Sequence, residues 1–515
     1  MLSNNTNKQI VKNIIVLVNP CVMSPEKIKQ STQYFPRIPI SILAASRLAL
    51  QEGFKIKIID LNISDERQYI LDNREHILFI GITAMTGYQI RSGLDFAEAV
   101  NEISKIIPIV WGGVHVSLLP EQSLQNDLLD IVVIGQGELT LLELAKRLQK
   151  NESMHEQKGI GFKENGKIIL NSANKFVALE DLPEMPYELV DVDLYMQKQQ
   201  EVYGCRQFPY VSSMGCPYRC TFCAPSTIAP HWSSLSASRV LNELGKLIKK
   251  YSIDEILFYD QEFFINKKRS LEIAESILKR NLNIQWESQI RVNILASMKL
   301  NDLLLLKKSG LKQVDMGVES GSSVMLKRIN KSITIKQVLK CIKLIKNAGL
   351  ECCCNFIYGL PKETKKDLYA NFRLSARIKE SIPEAVLPLF FFEPYPCVPI
   401  YNDALEMGAI KQDTLQGWAN ILNYSYSQIS PFTPWLKKKY MDLVFRVIIF
   451  YIPLAFPANM NRGTVTFFQN KLENSRLSIF LYLIHKIALW RVKKQFYYFP
   501  IEWNIFKLFK NVIRF

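Results

Sequence analysis

The first third of the chain alternates short apolar runs with amphipathic stretches. Five apolar runs predict β-strands, at residues 14–18, 55–60, 77–82, 107–111 and 131–134. Amphipathic stretches with helical spacing separate them, the clearest at residues 40–51, 89–105 and 138–150. Strands that alternate with helices of this length predict an α/β fold with a doubly wound parallel sheet. Such sheets bind their ligands at the carboxyl ends of the strands.

The same alternation returns between residues 205 and 392. Six further strands are predicted, at residues 208–213, 255–259, 284–288, 313–317, 351–357 and 386–391. Helical patterns separate them, at residues 237–250, 268–280, 295–309, 336–348 and 365–380. This order predicts a partial (β/α)6 barrel, in which functional groups lie at the carboxyl ends of the strands.

These patterns divide the chain into four parts. We predict a sheet domain at residues 10–155, a hairpin and linker at 156–204, a barrel at 205–395 and a mainly helical region at 396–515. The predicted hairpin occupies residues 160–169 and turns at 164–166, and an acidic, proline-punctuated run follows at 180–186.

Charge is concentrated in the last part of the chain. The whole chain of 515 residues has a formal charge of +16, and residues 431–515 contain fourteen Lys or Arg against three Asp or Glu. Apolar stretches at 441–456 and 477–490 are shorter than the roughly 20 residues that span a bilayer. Three interpretations remain open: a helical cover for the barrel, contact with a membrane surface, and, least favoured, nucleic-acid binding.

Cysteine usage favours a reducing compartment. Three of the ten cysteines are consecutive, Cys352 to Cys354, an arrangement that no disulfide framework uses. The N-terminal residues lack the charged, apolar and small-residue order of a signal peptide. We therefore expect a cytoplasmic protein, with peripheral attachment at the inner face of the membrane left open.

Three other cysteines form the most informative motif of the chain. Cys216, Cys220 and Cys223 follow the first predicted barrel strand with the spacing Cys-x3-Cys-x2-Cys, and the aromatic Phe222 precedes the last of them. Structural zinc normally takes four protein ligands. A [4Fe–4S] cluster held by three thiolates instead keeps one iron open to a small molecule, although complete clusters usually take four. A zinc knuckle or a group of buried cysteines is the alternative.

Small and polar residues follow the last three strands of the sheet domain, where this fold binds ligands. They are Thr83, Thr86, Gly112, Gly113, His115, Gly135, Gly137 and Glu138. Glycines there let a bulky cofactor approach the backbone, and hydroxyl groups bond to its polar edges. Because glycine turns after strands are common, a purely structural role is the alternative.

Together, these features resemble the cobalamin-dependent (class B) radical S-adenosylmethionine (SAM) enzymes. The resemblance rests on the run Tyr-Phe-Pro-Arg-Ile-Pro at residues 34–39, the Gly-Gly-x-His and Gly-x-Gly-Glu segments, and the three-cysteine loop. It implies a Rossmann-like cobalamin-binding domain, a radical SAM barrel, and the cofactors cobalamin, SAM and a [4Fe–4S] cluster. In that family, one electron from the cluster cleaves SAM to a 5′-deoxyadenosyl radical.

One departure from the corrinoid pattern concerns the ligand of cobalt. The Asp-x-His-x-x-Gly signature of many corrinoid proteins is absent after the first strand, where Asn-Pro-Cys-Val-Met stands at residues 19–23. The resemblance therefore implies cobalamin without a histidine ligand from that loop. His115 is expected to touch the cofactor's periphery or to cap a helix.

The resemblance also assigns SAM contacts to barrel residues. Asp260 and Arg291 follow the second and third barrel strands, and Glu319 lies in a Gly-x-Glu-Ser-Gly segment after the fourth. Gly359 and Pro361 lie in a Gly-x-Pro-x-Glu-Thr turn expected near adenine. The alternatives are a solvated turn for Asp260, a surface arginine for Arg291 and a helix start after Pro361.

The predicted function is methyl transfer to an unactivated carbon of a small-molecule substrate that the sequence does not identify, with a hydrophobic substrate left open. An anaerobic porphyrin-ester cyclase-like reaction is the alternative. A tRNA methylthiotransferase carries three further cluster cysteines in its N-terminal domain, where this chain has only Cys21, and a non-catalytic binding protein is the remaining rival. The resemblance implies a flavodoxin or ferredoxin as electron donor and disfavours nucleic acid; it names no catalytic side chain.

Overall fold

Seven strands form the sheet of the N-terminal domain. The computed structural model describes residues 12–31, 34–421, 430–458 and 477–510. The strands follow the order β2-β1-β3-β4-β5-β6-β7. They are β1 (Ile14–Asn19), β2 (Lys55–Asp60), β3 (Ile77–Thr83), β4 (Ile109–Gly112), β5 (Ile131–Val133), β6 (Ile160–Glu164) and β7 (Lys167–Leu170). The first five pair in parallel, which confirms the doubly wound sheet.

The predicted hairpin is present, but it belongs to this sheet. β6 pairs antiparallel with β5, and β7 with β6. The sheet domain therefore continues to Leu170, beyond the boundary expected at residue 155.

Helices cover both faces of the sheet because alternate strand residues point to opposite sides. They are α1 (Pro25–Gln30), α2 (Ile40–Gln51), α3 (Arg67–Asn73), α4 (Tyr88–Ile103), α5 (Val114–Leu118), α6 (Pro120–Leu124) and α7 (Gly137–Lys150). Ile15 and Leu17 of β1 pack with α2 and α7 in one core. Val16 and Val18 pack with α4 in the other.

The barrel is a six-stranded parallel sheet with the order β15-β14-β13-β12-β11-β8. Its strands are β8 (Gln207–Tyr210), β11 (Glu255–Phe258), β12 (Gln285–Ile290), β13 (Leu311–Glu319), β14 (Glu351–Tyr358) and β15 (Leu389–Phe391). Two short strands, β9 (Ser213–Met214) and β10 (Ser233–Ser234), form a separate antiparallel pair. The partial barrel predicted from the sequence is thus confirmed.

Helices connect these strands and begin at recognisable caps. After α8 (Val192–Tyr203) of the linker, the barrel helices are α9 (Pro225–Ile228), α10 (Ala237–Tyr251), α11 (Lys267–Lys279), α12 (Val292–Ser297), α13 (Leu300–Lys308), α14 (Ser323–Arg328), α15 (Ile335–Ala348) and α16 (Lys365–Ser381). Thr334 and Gln337 form a capping box at α15, and Thr364 and Asp367 form one at α16. The helix predicted at 295–309 is divided into α12 and α13.

The C-terminal region is helical and packs on both preceding domains. Its helices are α17 (Ile400–Glu406), α18 (Leu415–Trp418), α19 (Lys438–Phe445), α20 (Ile452–Ala455), α21 (Leu477–Lys494) and α22 (Ile501–Lys510), with a π-helical turn at Arg446–Tyr451. Trp418 packs on His115 of the sheet domain, and the Trp435 indole donates to the Gly359 carbonyl of the barrel. In the part of the chain that the structure describes, no helix is long and apolar enough to cross a membrane.

A buried ion pair joins the two sheet helices that cover one face of the N-terminal domain. Arg47 on α2 donates to Glu138 on α7 at 2.8 Å, and Arg47 also donates to the Pro183 carbonyl of the linker at 3.1 Å. Both residues are 5% exposed. Removal of one partner would leave the other charge buried without compensation, which strongly lowers the free energy of unfolding.

We expect Arg47→Met to lower the free energy of unfolding of the apo protein by about 3 kcal/mol or more, because Glu138 becomes an unpaired buried carboxylate. The second change Glu138→Gln should restore part of that loss. Lys146→Met, which breaks the exposed Lys146–Glu52 pair at 2.7 Å, should cost at most about 1 kcal/mol. Denaturant titration measures all three; an Arg47→Met loss no larger than that of Lys146→Met would contradict the prediction.

Candidate active site

A cavity of about 480 Å³, here called the barrel cavity, lies at the carboxyl ends of the barrel strands. Cys216, Cys220 and Cys223 all line it, as does Phe222. None of the three thiols is in a disulfide. The structure therefore brings the three predicted ligands to one space, at the position where this fold carries its functional groups.

A glycine fixes the path of the cysteine loop. Gly215, which precedes Cys216, has φ of +81°, and a Cβ there would lie 1.9 Å from the His231 carbonyl oxygen. Only glycine permits this approach. The next backbone N–H, that of Cys216, donates to the Ala229 carbonyl at 3.1 Å, so the loop is held against the segment that follows it.

Arg291 lies directly beside the cysteine loop. Its guanidinium is 3.7 Å from the centre of the Tyr218 ring, and its Nη1 is 3.4 Å from the Cys220 sulfur. Its Nη2 donates to the Lys331 carbonyl. The side chain is buried and lines the barrel cavity, so the ordinary surface arginine that was the alternative is excluded. Arg291 places a fixed positive charge against the thiols.

Glu262 lines the barrel cavity, whereas Asp260 does not. Asp260 is buried and accepts from the Ser212 backbone N–H, the Ser212 hydroxyl and the Ser213 hydroxyl at 2.6–2.7 Å. Its carboxylate is therefore used to fix the strand end. Burial raises the pKa of Glu262 to about 7, although Glu262 accepts backbone hydrogen bonds from Phe264 and Arg291. Glu262 is the carboxylate of this turn that a cofactor would meet.

Glu319 ends β13 in a left-handed backbone conformation, with φ of +62°. Non-glycine residues rarely adopt this conformation, and it often occurs at functional sites. The β13–β14 register shifts between Gly317 and Glu319, and the carboxylate accepts from Lys331 Nζ at 2.7 Å. Both side chains are buried and line the barrel cavity. The sequence identified Glu319 but not its partner Lys331, which lies in a loop without a strand-end signature.

Gly359 and Pro361 are absent from the barrel-cavity lining. The Gly359 carbonyl accepts from the Trp435 indole at 2.9 Å, and its N–H donates to Glu363 at 3.0 Å. Glu363 also accepts from Tyr440 of the C-terminal region. This turn fastens the C-terminal helices to the barrel, and the helix start expected as its alternative role is present at Thr364.

Glu393 has no hydrogen-bond partner at Oε2, a buried oxygen, and it lines the barrel cavity. Burial raises its pKa to about 7. The neighbouring wall is aromatic and is formed by Phe390, Phe391, Phe392 and Tyr395. Sequence reasoning missed Glu393 because nothing in the run Glu-Pro-Tyr-Pro at 393–396 indicates which side chain faces inward.

A second cavity of about 590 Å³, here called the lumen cavity, continues into the interior of the open barrel. It shares Gln289 and Asp315 with the barrel cavity. At its other side it is lined by Phe35 and Arg37, from the run at 34–39, and Arg37 donates to the Tyr259 hydroxyl at 3.1 Å. The lumen cavity therefore lies between the barrel cavity and the N-terminal domain.

A third cavity of about 170 Å³, here called the sheet cavity, lies at the carboxyl ends of β3, β4 and β5. Six of the eight residues predicted there line it: Thr83, Gly112, Gly113, Gly135, Gly137 and Glu138. The rest of its lining is largely apolar and comes from β1, β3, β4, β5 and helices α2 and α7. A Cβ at Gly135 would meet no heavy atom within 4 Å, so there is open space beside this glycine of the cavity lining.

Thr86 and His115 lie outside the sheet-cavity lining and bond to each other. Thr86 Oγ1 is 2.9 Å from His115 Nδ1, and the His115 ring packs on Trp418 at 5.8 Å. Burial lowers the pKa of His115 to about 4, so the ring is neutral at pH 7. Its Nε2 is buried without a partner. These contacts connect the sheet domain to α18.

The residues fit the expected groups by their chemistry. Free thiols at one cavity are the donors that an iron–sulfur cluster takes, and Arg291 offsets their charge. No three metal-binding side chains of the described residues converge on a single ion. A [4Fe–4S] cluster does not require that, because each thiolate binds a different iron. The apolar sheet cavity with its glycine rim suits the tail of a large cofactor.

Comparison with family models gives two matches. Residues 31–145 match the B12-binding domain, and residues 210–374 match the radical SAM superfamily. The chain is therefore a radical SAM enzyme with an N-terminal B12-binding domain, as the sequence predicted. Its domains imply SAM, a [4Fe–4S] cluster and cobalamin as cofactors.

Individual proteins resemble the chain over most of its length. An uncharacterized methyltransferase of Pyrococcus horikoshii is 28% identical over 85% of this chain and 93% of its own. An anaerobic magnesium-protoporphyrin IX monomethyl ester cyclase of Rubrivivax gelatinosus is 28% identical over 61% of this chain and 57% of its own.

Solved structures share the fold. The radical SAM methyltransferase TsrM of Kitasatospora setae, with cobalamin and a [4Fe–4S] cluster bound, superposes with a TM-score of 0.62 and 17% identity, over 77% of this chain and 78% of its own. The cobalamin-dependent radical SAM enzyme OxsB superposes with a TM-score of 0.69 and 19% identity, over 97% of this chain and 75% of its own.

Glu393→Gln should stabilise the apo protein at pH 8 and have little effect at pH 4. The folded-state pKa of about 7 exceeds the ordinary value of 4.5, so the wild-type protein loses stability as the pH rises through that interval. The loss reaches about 3 kcal/mol above pH 7. The amide carries no charge and should remove that loss.

Denaturant titrations of both proteins at the two pH values measure the difference. Glu201→Gln, on the exposed surface of α8, is the matched control and should show no such pH dependence. A Glu393→Gln effect of equal size at pH 4 and pH 8 would show that the wild-type carboxylate is not destabilised by its burial.

Proposed function

We propose that this enzyme transfers a methyl group to an unactivated carbon of a small-molecule substrate, and that the barrel cavity is where the substrate and SAM meet. The supporting observation is that the three free thiols, Arg291 and the Glu319–Lys331 pair line one cavity that borders the lumen cavity. When bound, the cluster supplies the electron that cleaves SAM, and cobalamin supplies a carrier for the methyl group.

The side chains of the cavity have distinct roles in this proposal. The three thiolates hold the cluster, and Arg291 lies where it can pair with the methionyl carboxylate. Glu319, fixed by Lys331, accepts hydrogen bonds from the ribose hydroxyls or the amino group of SAM. Glu393 offers an unpaired acceptor to an N–H or O–H group of the substrate, and the aromatic wall from Phe390 to Tyr395 excludes water. The protein positions these groups; the cofactors carry out the reaction.

One observation favours methyl transfer over the cyclase-like alternative, which would also use cobalamin. The methyltransferase relative is matched over 93% of its length, whereas the cyclase relative of Rubrivivax gelatinosus is matched over 57%. We further propose a reduced flavodoxin or ferredoxin as electron donor and a cytoplasmic location.

The anaerobically reconstituted wild-type enzyme, reduced with dithionite, should form 5′-deoxyadenosine from SAM, and Cys220→Ala should reduce this to background. Cys220 is buried beside Arg291, so its loss removes one cluster ligand. The control Cys397→Ala changes an exposed thiol outside the loop and should keep the activity and the iron content. Undiminished 5′-deoxyadenosine in Cys220→Ala would contradict the proposed cluster site.

Gly112→Leu tests the cobalamin site. A Cβ at Gly112 would meet only Val133, at 4.0 Å, so a leucine can enter the sheet cavity without displacing the backbone. We expect this variant to lose the corrin absorbance that the wild-type enzyme retains after gel filtration. It should also stop forming S-adenosylhomocysteine, the by-product of methyl donation by SAM, while it still forms 5′-deoxyadenosine.

Gly245→Leu, on α10 of the barrel, is the matched control, since a Cβ there meets no heavy atom within 4 Å. A wild-type enzyme that forms 5′-deoxyadenosine and never S-adenosylhomocysteine would favour the cyclase-like alternative. Full corrin binding by Gly112→Leu would contradict the assignment of the sheet cavity.

A further inference from the structure

Exposed apolar side chains are concentrated in one short part of the C-terminal region. Elsewhere in the described residues, fourteen exposed large apolar side chains occur at scattered positions. Residues 482–505 alone expose nine: Tyr482, Leu483, Ile487, Trp490, Phe496, Tyr498, Phe499, Ile501 and Ile505. Scattered exposed apolar residues need no explanation, whereas a contiguous apolar patch indicates a binding surface.

These side chains form one surface, here called the aromatic face. Leu483, Ile487 and Trp490 are spaced by four and three residues and so share one side of α21. The Trp490 ring is 5.5 Å from Phe496, and the Phe496 ring is 5.7 Å from Tyr498. The helix and the loop that follows it therefore present their apolar groups together.

A buried arginine holds that loop in place. Arg491, the residue after Trp490 on α21, is buried and donates to the carbonyl oxygens of Phe496, Tyr498 and Phe499 at 2.9–3.1 Å. It also forms an ion pair with Glu502 at 3.0 Å. Because the inner guanidinium binds the loop backbone, the side chains of Phe496, Tyr498 and Phe499 are free to point outward. The aromatic face is thus a built surface rather than a frayed end.

The border of the aromatic face is basic. Lys486, Lys493 and Lys494 are exposed on α21. From the barrel helix α16, Lys365 donates to the Tyr498 hydroxyl at 2.6 Å, and Arg373 donates to Gln495 at 2.9 Å. Within residues 482–505 the one acidic side chain, Glu502, is paired with Arg491. The face therefore combines apolar area with uncompensated positive charge.

We propose that the aromatic face binds an anionic lipid surface, with α21 lying in the plane of the membrane. Helices with apolar groups and lysines on one exposed face bind at the boundary between headgroups and acyl chains. Aromatic side chains are preferred at that depth, and lysines add attraction to anionic lipids. The exposed aliphatic groups Leu483, Ile487, Ile501 and Ile505 provide area for insertion but neither stacking nor hydrogen bonds for nucleic acid. This inference is independent of the reaction at the barrel cavity.

The test is flotation of the reconstituted full-length enzyme with vesicles. Vesicles of equal parts phosphatidylcholine and phosphatidylglycerol should carry the wild-type protein at low salt and release it at high salt, whereas phosphatidylcholine alone should not carry it. The double variant Lys493→Ala with Lys494→Ala should bind the vesicles more weakly, roughly fivefold for each lysine. The double variant Lys493→Arg with Lys494→Arg keeps both charges and should retain vesicle binding. Phe499→Ser with Ile501→Ser, which alters side chains that are 78% and 65% exposed, should abolish flotation.

Two controls match these variants elsewhere on the surface. Lys249→Ala with Lys250→Ala removes the same charge from exposed positions on α10. Ile106→Ser alters an apolar side chain that is 73% exposed on the sheet domain. Both should float like the wild-type protein, and all variants should keep the wild-type rate of 5′-deoxyadenosine formation.

Three results would overturn the proposal. The first is a wild-type protein that does not float with anionic vesicles, or variants of the aromatic face that float equally well. The second is a wild-type protein that binds poly(U) instead of vesicles, with poly(U) binding lost in Lys493→Ala with Lys494→Ala and retained in Phe499→Ser with Ile501→Ser. The third combines two measurements: the wild-type protein does not float, and Phe499→Ser with Ile501→Ser has a lower melting temperature than the wild-type protein. Together they would indicate that another part of the chain covers the aromatic face.

Discussion

The arrangement of the candidate active site depends on one buried guanidinium. Arg291 stacks on Tyr218, reaches Cys220 and donates to the Lys331 carbonyl, while its own backbone N–H donates to Glu262. A guanidinium brings a fixed charge and a planar set of N–H donors to such a site. Burial of that charge is tolerable only where several acceptors and anions surround it. The same guanidinium orders the cysteine loop through Tyr218 and Cys220, and the thiolates of a cluster and the SAM carboxylate that we propose as its partner would be such anions.

The open barrel adds a second constraint. In a closed βα barrel, branched apolar side chains fill the interior. Here, inward positions of β12 and β13 carry polar residues such as Glu287, Gln289 and Asp315, and these line continuous space instead of a packed core. The run at 34–39 closes one side of that space through the Arg37–Tyr259 contact. The polar interior therefore contributes little to stability and provides room between the barrel cavity and the B12-binding domain.

The sequence was sufficient for features that local chemistry determines. Short apolar runs between amphipathic stretches predicted the strands, and the cysteine spacing predicted the loop, because both depend on neighbours along the chain. Residues whose role depends on distant partners were harder to predict. Asp260 and Glu262 are two residues apart in one turn, and only the hydroxyl groups of Ser212 and Ser213 decide that Asp260 is structural. Likewise, the Gly359 carbonyl accepts from the Trp435 indole, and the His115 ring packs on Trp418. Each contact joins residues that are far apart in the sequence, so no local pattern predicts it.

The C-terminal region combines two faces of different character, which accounts for the uneven distribution of charge. Its inner face packs on the barrel: Tyr440 donates to Glu363, and the Trp435 indole donates to the Gly359 carbonyl. These residues lie outside the lining of the barrel cavity. Its outer face carries Lys486, Lys493 and Lys494 beside exposed apolar groups. Because buried residues such as Arg491 and Val492 lie beneath that outer face, the same helical layer can pack on the barrel and present a basic, apolar surface to the outside.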